Sequence, residues 1–206
     1  MGFEFYFRHH LGRHSVDLGE KSANTRRGNH IETCSERCSC GHFVGKRAFL
    51  RAAAAAHAAG QQVALSLSDP FCVDRHRAAF RDLVKQNVDI LFANEAEVTS
   101  LYEENTFEAA AERARADVAL AALTRSEAGS VILRGAETVE IAAEPTRVID
   151  TTGAGDAYAA GFLAGLTSGK PLPVCGRLAS IAAAEVISHY GARPQADLKK
   201  LTAGTG

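Results

Sequence analysis

The stretch Asp150–Asp156, DTTGAGD, decides how the rest of the chain is read. Three small residues, Gly153, Ala154 and Gly155, stand between hydroxyls and a closing carboxylate. Such a loop can bring bare backbone N–H groups against an anion. TRVI precedes it and reads as a strand; DAYAAGFLAGLTSG follows and reads as a helix. Strand, small-residue loop and helix in that order put residues 153–156 at a helix N-terminus, where free N–H groups and the helix dipole favour negative charge. The plain alternative is an ordinary turn with Asp156 as a first-turn helix residue, and GAG alone does not separate the two. The loop is not a Walker motif, because no Lys-Ser or Lys-Thr follows it. GHFVGKR at Gly41–Arg47 has the wrong glycine spacing and Arg47 in place of the hydroxyl. Nor is DTTGAGD a dinucleotide fingerprint.

Outward from the loop, helices alternate with short apolar strands. KRAFLRAAAAAHAAG is a helix stopped by Gly60. QQVALSLSDP is a strand ending at Pro70, and VDRHRAAFRDLVKQ a helix with Val73, Phe80 and Val84 on one face. VDILFAN and VALAALT are continuous apolar runs, as in parallel strands covered on both faces. EAEVTSLY is a short helix opened by Asn94, and TFEAAAERARAD is another. SVILRGAETVEIAA is a hairpin turning at Gly135, and LPVCGRLASIAAAEVISHYG closes the series as a helix. The pattern predicts an α/β fold with a mainly parallel sheet flanked by helices.

Composition narrows the function classes. The 206 residues are 46% hydrophobic and 23% charged, as in ordinary globular chains. A formal net charge of -1 gives no overall field to draw nucleic acid or an acidic membrane. No apolar run reaches the roughly 20 residues that span a bilayer. The start, MGFEFYFRHH, does not read as a signal peptide. Five cysteines, with Cys72 and Cys175 isolated, favour a reducing cytoplasm.

DTTGAGDAYAAGF closely resembles the C-terminal signature of the ribokinase-like (PfkB) sugar and nucleoside kinases. Three further motifs follow the family's order: NEAE (Asn94–Glu97), TRSEAG (Thr124–Gly129) and SHYGARP (Ser188–Pro194). The resemblance covers roughly residues 48–201. It implies ATP and Mg²⁺ as cofactors, a small-molecule sugar or nucleoside as acceptor, and leaves a homodimer open. The N–H groups of Gly153, Ala154 and Gly155 would form an anion hole for the transferring phosphoryl group. Asp156 would take the proton from the acceptor hydroxyl, which explains why an anion-binding loop ends in an anion. A β-branched residue at Gly155 should then harm folding and turnover together.

The resemblance extends to the other motifs, each beside a plainer reading. Glu97 is a solvated helix residue or a carboxylate organising Mg²⁺ through its waters. Asn94 is an N-cap or also a phosphate contact. Thr124 and Gly129 bracket a simple connection or a loop facing the ribose and phosphates of ATP. Ser126 stands where that loop usually has glycine. Ser180, with Ala183, belongs to ordinary packing or flanks adenine. Asp150 and Thr152, with Val186, His189 and Gly191, finish a strand or hold a monovalent cation such as K⁺. SLSDPFCVDRHR resembles bacterial proteins described as adenosine kinases, which inclines the acceptor towards adenosine, with ribose and fructose as alternatives.

Near residue 46 the composition changes. Residues 1–46 are rich in Arg, His, Ser, Gly and Cys, and read as a disordered or mis-translated segment. Residues 47–206 read as the nucleotide-binding and catalytic part. The family's N-terminal half and lid are not recognisable, so the chain is expected to be a C-terminal part, either catalytic or an inactive nucleotide-binding remnant. Cys34, Cys38, Cys40 and His42 offer zinc-type donors in a spacing that fits no standard structural site.

Overall fold

The computed structural model describes residues 46–67 and 70–205. The cysteine and histidine group of the N-terminal segment lies outside them. In chain order the strands are β1 (Ala64–Ser66), β2 (Ile90–Asn94), β3 (Leu120–Thr124), β4 (Ser130–Arg134) and β5 (Glu137–Ile141). The helices are α1 (Lys46–Ala58), α2 (Pro70–Asn87), α3 (Glu95–Tyr102), α4 (Phe107–Asp117), α5 (Ala154–Thr167), α6 (Leu172–Ile187) and the short α7 (Leu198–Leu201). The five strands form one sheet in sequence order. β1, β2 and β3 run parallel, and β4 and β5 return as the antiparallel hairpin expected around Gly135.

Strand alternation divides the core into two layers. Leu91, Ala93, Ala121, Leu123 and Leu133 face one way, onto α1 to α4 through Phe49, Val73, Phe80, Val84, Leu101 and Ala110. Ile90, Phe92, Leu120, Ala122 and Ile132 face the other way, onto α5 and α6 through Phe162, Leu163, Leu172 and Ala179. Helices on both faces are why β2 and β3 read as unbroken apolar runs. Phe92 meets Phe162 edge-on, with ring centroids 5.6 Å apart. Arg115 of α4 ties the hairpin down, donating to the carbonyls of Gly135 (2.7 Å) and Glu137 (3.1 Å) and to Thr138 Oγ1 (2.7 Å).

Two sequence expectations change. Pro70 opens α2 instead of breaking a strand. A fixed φ and a missing N–H both suit a first helical position. TRVI is not a strand. Its Val148 and Ile149 are exposed, and the N–H groups of Ile149 and Asp150 both donate to the carbonyl of Ile187 at the end of α6 (2.8 and 3.3 Å). Thr146 Oγ1 likewise donates to the Ala184 carbonyl (3.3 Å). An apolar, β-branched run has strand composition, but the partner it finds here is a helix end.

Among the described residues no helix is long and apolar enough to cross a membrane. The α5–α6 pair depends on close backbone approach. A Cβ at Gly161 would lie 2.7 Å from the Leu178 carbonyl oxygen and 2.9 Å from Ala179 Cα. Gly161→Val should therefore lower unfolding stability by about 1–3 kcal/mol, the usual cost of overpacking. Urea denaturation monitored by circular dichroism measures it; an unchanged midpoint would mean that the two helices part freely.

Candidate functional site

Parallel strands deliver their carboxyl ends to one edge of the sheet, where α/β folds place their ligand crevices. Asn94 and Thr124 end β2 and β3 and are direct neighbours in the register, and Thr124 is opposite Ser130 of β4. Asn94 and Glu97 make a reciprocal capping box. Asn94 Oδ1 accepts from the Glu97 N–H and Glu97 Oε2 accepts from the Asn94 N–H, both at 2.9 Å. Glu97 is buried, 5% exposed, so it is not the solvated helix residue of the plainer reading.

The loop ahead of α5 turns at Gly153, whose φ of +84° is left-handed. A Cβ there would sit 2.7 Å from the Ala192 Cβ. Ala154 then opens α5, and Gly155 and Asp156 follow in its first turn, where N–H groups have no carbonyl four residues back within the helix. Gly155 differs from Gly153. Its φ is ordinary and the space beside it is empty within 4 Å, so the folding half of the expectation for a side chain there falls away. The TRSEAG turn is tight. A Cβ on Gly129 (φ +85°) would lie 2.0 Å from the Ile141 carbonyl oxygen. Ser126 holds a left-handed φ of +51°, which accounts for a glycine being the usual residue at that position.

These elements enclose a cavity of about 1110 Å³. Asn94, Glu97, Thr124, Gly129, Thr152, Gly153, Ala154, Gly155, Asp156 and Ser180 all line it. Its lining combines polar strand-end and loop residues, among them residues 152–156, with the apolar Pro145, Val148, Ala183, Ala184 and Ile187. Sequence reasoning missed Glu127, Glu144 and Arg193, which also line it. Glu144 forms an ion pair with Arg177 of α6. Nothing local marks Glu144, because its segment reaches the pocket through tertiary contacts, whereas Glu127 and Arg193 lie within the TRSEAG and SHYGARP motifs without having been singled out.

Asp150, Val186, His189 and Gly191 are not among the lining residues; they sit behind the loop. Asp150 Oδ1 accepts from the Thr152 N–H (2.9 Å) and Oδ2 from the Gly191 N–H (3.1 Å). Hydrogen bonds from Thr152, side chain first and then backbone, and from Gly191 hold the Asp150 carboxyl below its ordinary range. Val186 is fully buried against Ala157 and Ala182. The His189 ring meets Glu185 Oε1 and the Tyr190 carbonyl, each at 3.3 Å. Under the cavity, Tyr158 contacts Ser130 Oγ at 2.7 Å, and burial pushes its phenol up to about 12.

Among the described residues no three His, Cys, Asp or Glu side chains converge as a metal cage. Glu97 and Asp156, which line the cavity, nonetheless suit a hard divalent ion that keeps most of its waters.

The geometry separates the two glycines experimentally. Gly153→Ala forces a side chain into a left-handed residue and against Ala192, and should lower stability by about 1–3 kcal/mol. Gly155→Ala should leave stability within about 1 kcal/mol of the parent or raise it. Thermal melts of both variants check this; equal melting temperatures would refute the contrast.

The model for "pfkB family carbohydrate kinase" matches residues 39–199. The chain is similar to a solved adenosine kinase from Sinorhizobium meliloti, with 47% identity and a TM-score of 0.76 over 79% of this chain and 50% of that one. It is similar, also at 47% identity, to a probable sugar kinase from Rhizobium etli, with a TM-score of 0.73 over 75% of this chain and 47% of that one. An uncharacterised sugar kinase of Archaeoglobus fulgidus is 39% identical over 111 residues, 53% of this chain and 44% of the relative. The chain thus spans about half the length of the relatives it matches. With the family model matching most of its length and the loop, the capping box and the TRSEAG turn meeting in one cavity, the chain belongs to the pfkB family of carbohydrate kinases.

Proposed function

We propose that this chain carries the nucleotide side of an ATP-dependent kinase that phosphorylates a hydroxyl of a small nucleoside or sugar, with adenosine as the preferred acceptor. The observation that carries the reading is the cavity itself. Its apolar lining, Pro145 and Val148 with Ala183, Ala184 and Ile187, suits a base, and the first turn of α5, which also lines it, suits a polyphosphate. Asp156 stands two residues after Ala154, at the mouth of that turn.

In the proposed reaction the acceptor hydroxyl oxygen bonds to the γ-phosphorus, the bond from that phosphorus to the β,γ-bridging oxygen breaks, and ADP leaves. Asp156 receives the hydroxyl proton. A loose phosphoryl-transfer transition state asks for positioning and charge stabilisation more than for a strong base. N–H groups at a helix start supply that stabilisation without reorganising. Mg²⁺, held through water by Glu97, would supply the charge compensation that polyphosphate chemistry needs. Asn94, Thr124 and Gly129 would bear on the phosphates and ribose, and Ser180 on the base. Asp150 and Thr152, with the backbone at Val186, His189 and Gly191, would hold a monovalent cation behind the loop. The lean towards adenosine is supported by likeness to the S. meliloti protein described as an adenosine kinase. Likeness to sugar kinases keeps ribose and fructose in the test.

The purified chain is titrated with Mg·ATP, and ADP release is followed with adenosine, ribose and fructose. Saturable Mg·ATP binding is expected; none at millimolar nucleotide would sink the reading. In a full-length context adenosine should give the fastest release, and a sugar overtaking it would move the acceptor class. In the same full-length context Asp156→Asn should keep Mg·ATP affinity within a few-fold and lower kcat by about 10²–10⁴. Near-normal turnover in that variant would remove Asp156 from the proton-transfer role.

A further inference from the structure

Residues His189–Ala196 return from the end of α6 without forming helix or strand, yet the middle of this loop braces the functional site. The Gly191 N–H donates to Asp150 Oδ2 (3.1 Å), and Ala192 is the residue that Gly153 presses against. What fixes the loop is Glu185, near the end of α6, whose side chain is only 9% exposed. Its Oε1 accepts from the N–H groups of Gln195 (2.9 Å) and Ala196 (2.8 Å) and meets His189 Nε2 at 3.3 Å. One carboxylate oxygen therefore holds both ends of the loop. The other, Oε2, is buried without a hydrogen-bond partner.

An acid is an expensive way to fill that space. Burying a carboxylate costs free energy, and a buried oxygen without a partner adds to the cost. A negative oxygen does provide a charge-assisted acceptor, stronger than a neutral one, for donors arriving from two directions. We infer that Glu185 is the positioning residue of the DTTGAGD loop: by closing residues 189–196 into a staple, it fixes Gly191 and Ala192, and through them Asp150 and Gly153. It lies outside the cavity lining and acts only through those residues. The consequence for nucleotide binding rests on the kinase reading; the staple itself does not.

A merely structural Glu185 would tether α6 to the chain before α7 and leave residues 150–157 indifferent to its loss. The two roles separate in Glu185→Leu. The N–H groups it abandons belong to exposed residues that water can satisfy, and the buried charge is gone, so folding should persist. Glu185→Gln keeps an acceptor oxygen and serves as the rescue. Glu185→Asp, one methylene shorter, keeps the charge but withdraws the oxygen, and replaces the leucine variant should that one not fold.

Amide hydrogen exchange is measured on the full chain without nucleotide, alongside Mg·ATP titration. In Glu185→Leu or Glu185→Asp, exchange should quicken about tenfold both in residues 189–196 and in residues 150–157, the scale of losing charge-assisted bonds. Glu185→Gln, which keeps an acceptor oxygen without the charge, should fall between the parent and the leucine variant in both segments. Mg·ATP affinity should weaken by about the same factor in the leucine and aspartate variants. Quickening confined to 189–196 overturns the inference, as does glutamine behaving like leucine. A parent chain that binds no Mg·ATP, yet shows the coupled exchange, leaves the staple standing and removes the kinase reading. Normal Mg·ATP binding with uncoupled exchange does the reverse.

Discussion

Everything about the site depends on the contact between Gly153 and Ala192. Gly153 turns the chain through a left-handed residue with no room for a Cβ, so the start of α5 and the loop after α6 touch at the backbone. The helices are locked elsewhere as well, because Gly161 and Gly165 admit α6 to within van der Waals distance of the α5 backbone. The pair then lies on the sheet through Phe162 and Phe92. Interiors packed this closely transmit position rather than absorb it. The distance from the α5 N-terminus to Asn94 and Thr124 is therefore set by rigid parts, although the residues between them are irregular.

What the sequence revealed of this arrangement was what local chemistry decides. Apolar runs gave β2 and β3, Gly60 and Gly135 gave a helix end and a turn, and Asn94 gave a helix start. The capping box is also readable, since Asn-x-x-Glu before an apolar helix is its pattern, but only the structure removes the solvated reading of Glu97 from the two the sequence leaves open. Its burial comes from the strand ends around it. TRVI was misread because composition reports β-propensity, not the partner available, and the partner here is the Ile187 carbonyl. Glu185 went unnoticed for a related reason. In an Ala-rich helix a lone acid looks like part of the solvated face, and only the return of residues 189–196 buries it.

The family resemblance supplied what propensity could not, because it predicted which distant segments meet. Ten of its fourteen candidate site positions line one cavity, although they are spread along the chain from Asn94 to Ser180. The remaining four, Asp150, Val186, His189 and Gly191, do not line it. Asp150 spends both carboxylate oxygens on N–H donors that shape the loop. Its observed work is bracing, and any cation placed there would share oxygens already occupied on one side.

The cavity is acidic, and that constrains how a polyphosphate can use it. Glu97, Glu127, Glu144 and Asp156 line it, against Arg193 as the cation among its described lining residues. Glu144 is offset by Arg177, and Glu97 Oε2 accepts from the Asn94 N–H. Like charges a few ångströms apart repel by about 4 kcal/mol at 4 Å in a protein-surface dielectric. On the proposed reading a proton-accepting carboxylate must nevertheless stand beside the phosphoryl group it serves. A lysine-rich loop would ease the repulsion but would also pair with Asp156 and tie up its oxygens. Backbone N–H groups at a helix start avoid that conflict. Their partial charges are fixed in direction, they carry no side chain that could swing onto the carboxylate, and they need no desolvation of a full charge. On that reading the small residues of DTTGAGD keep side chains off those groups, and an anion-binding loop could end in an anion because it would bind with dipoles and leave net charge to the metal.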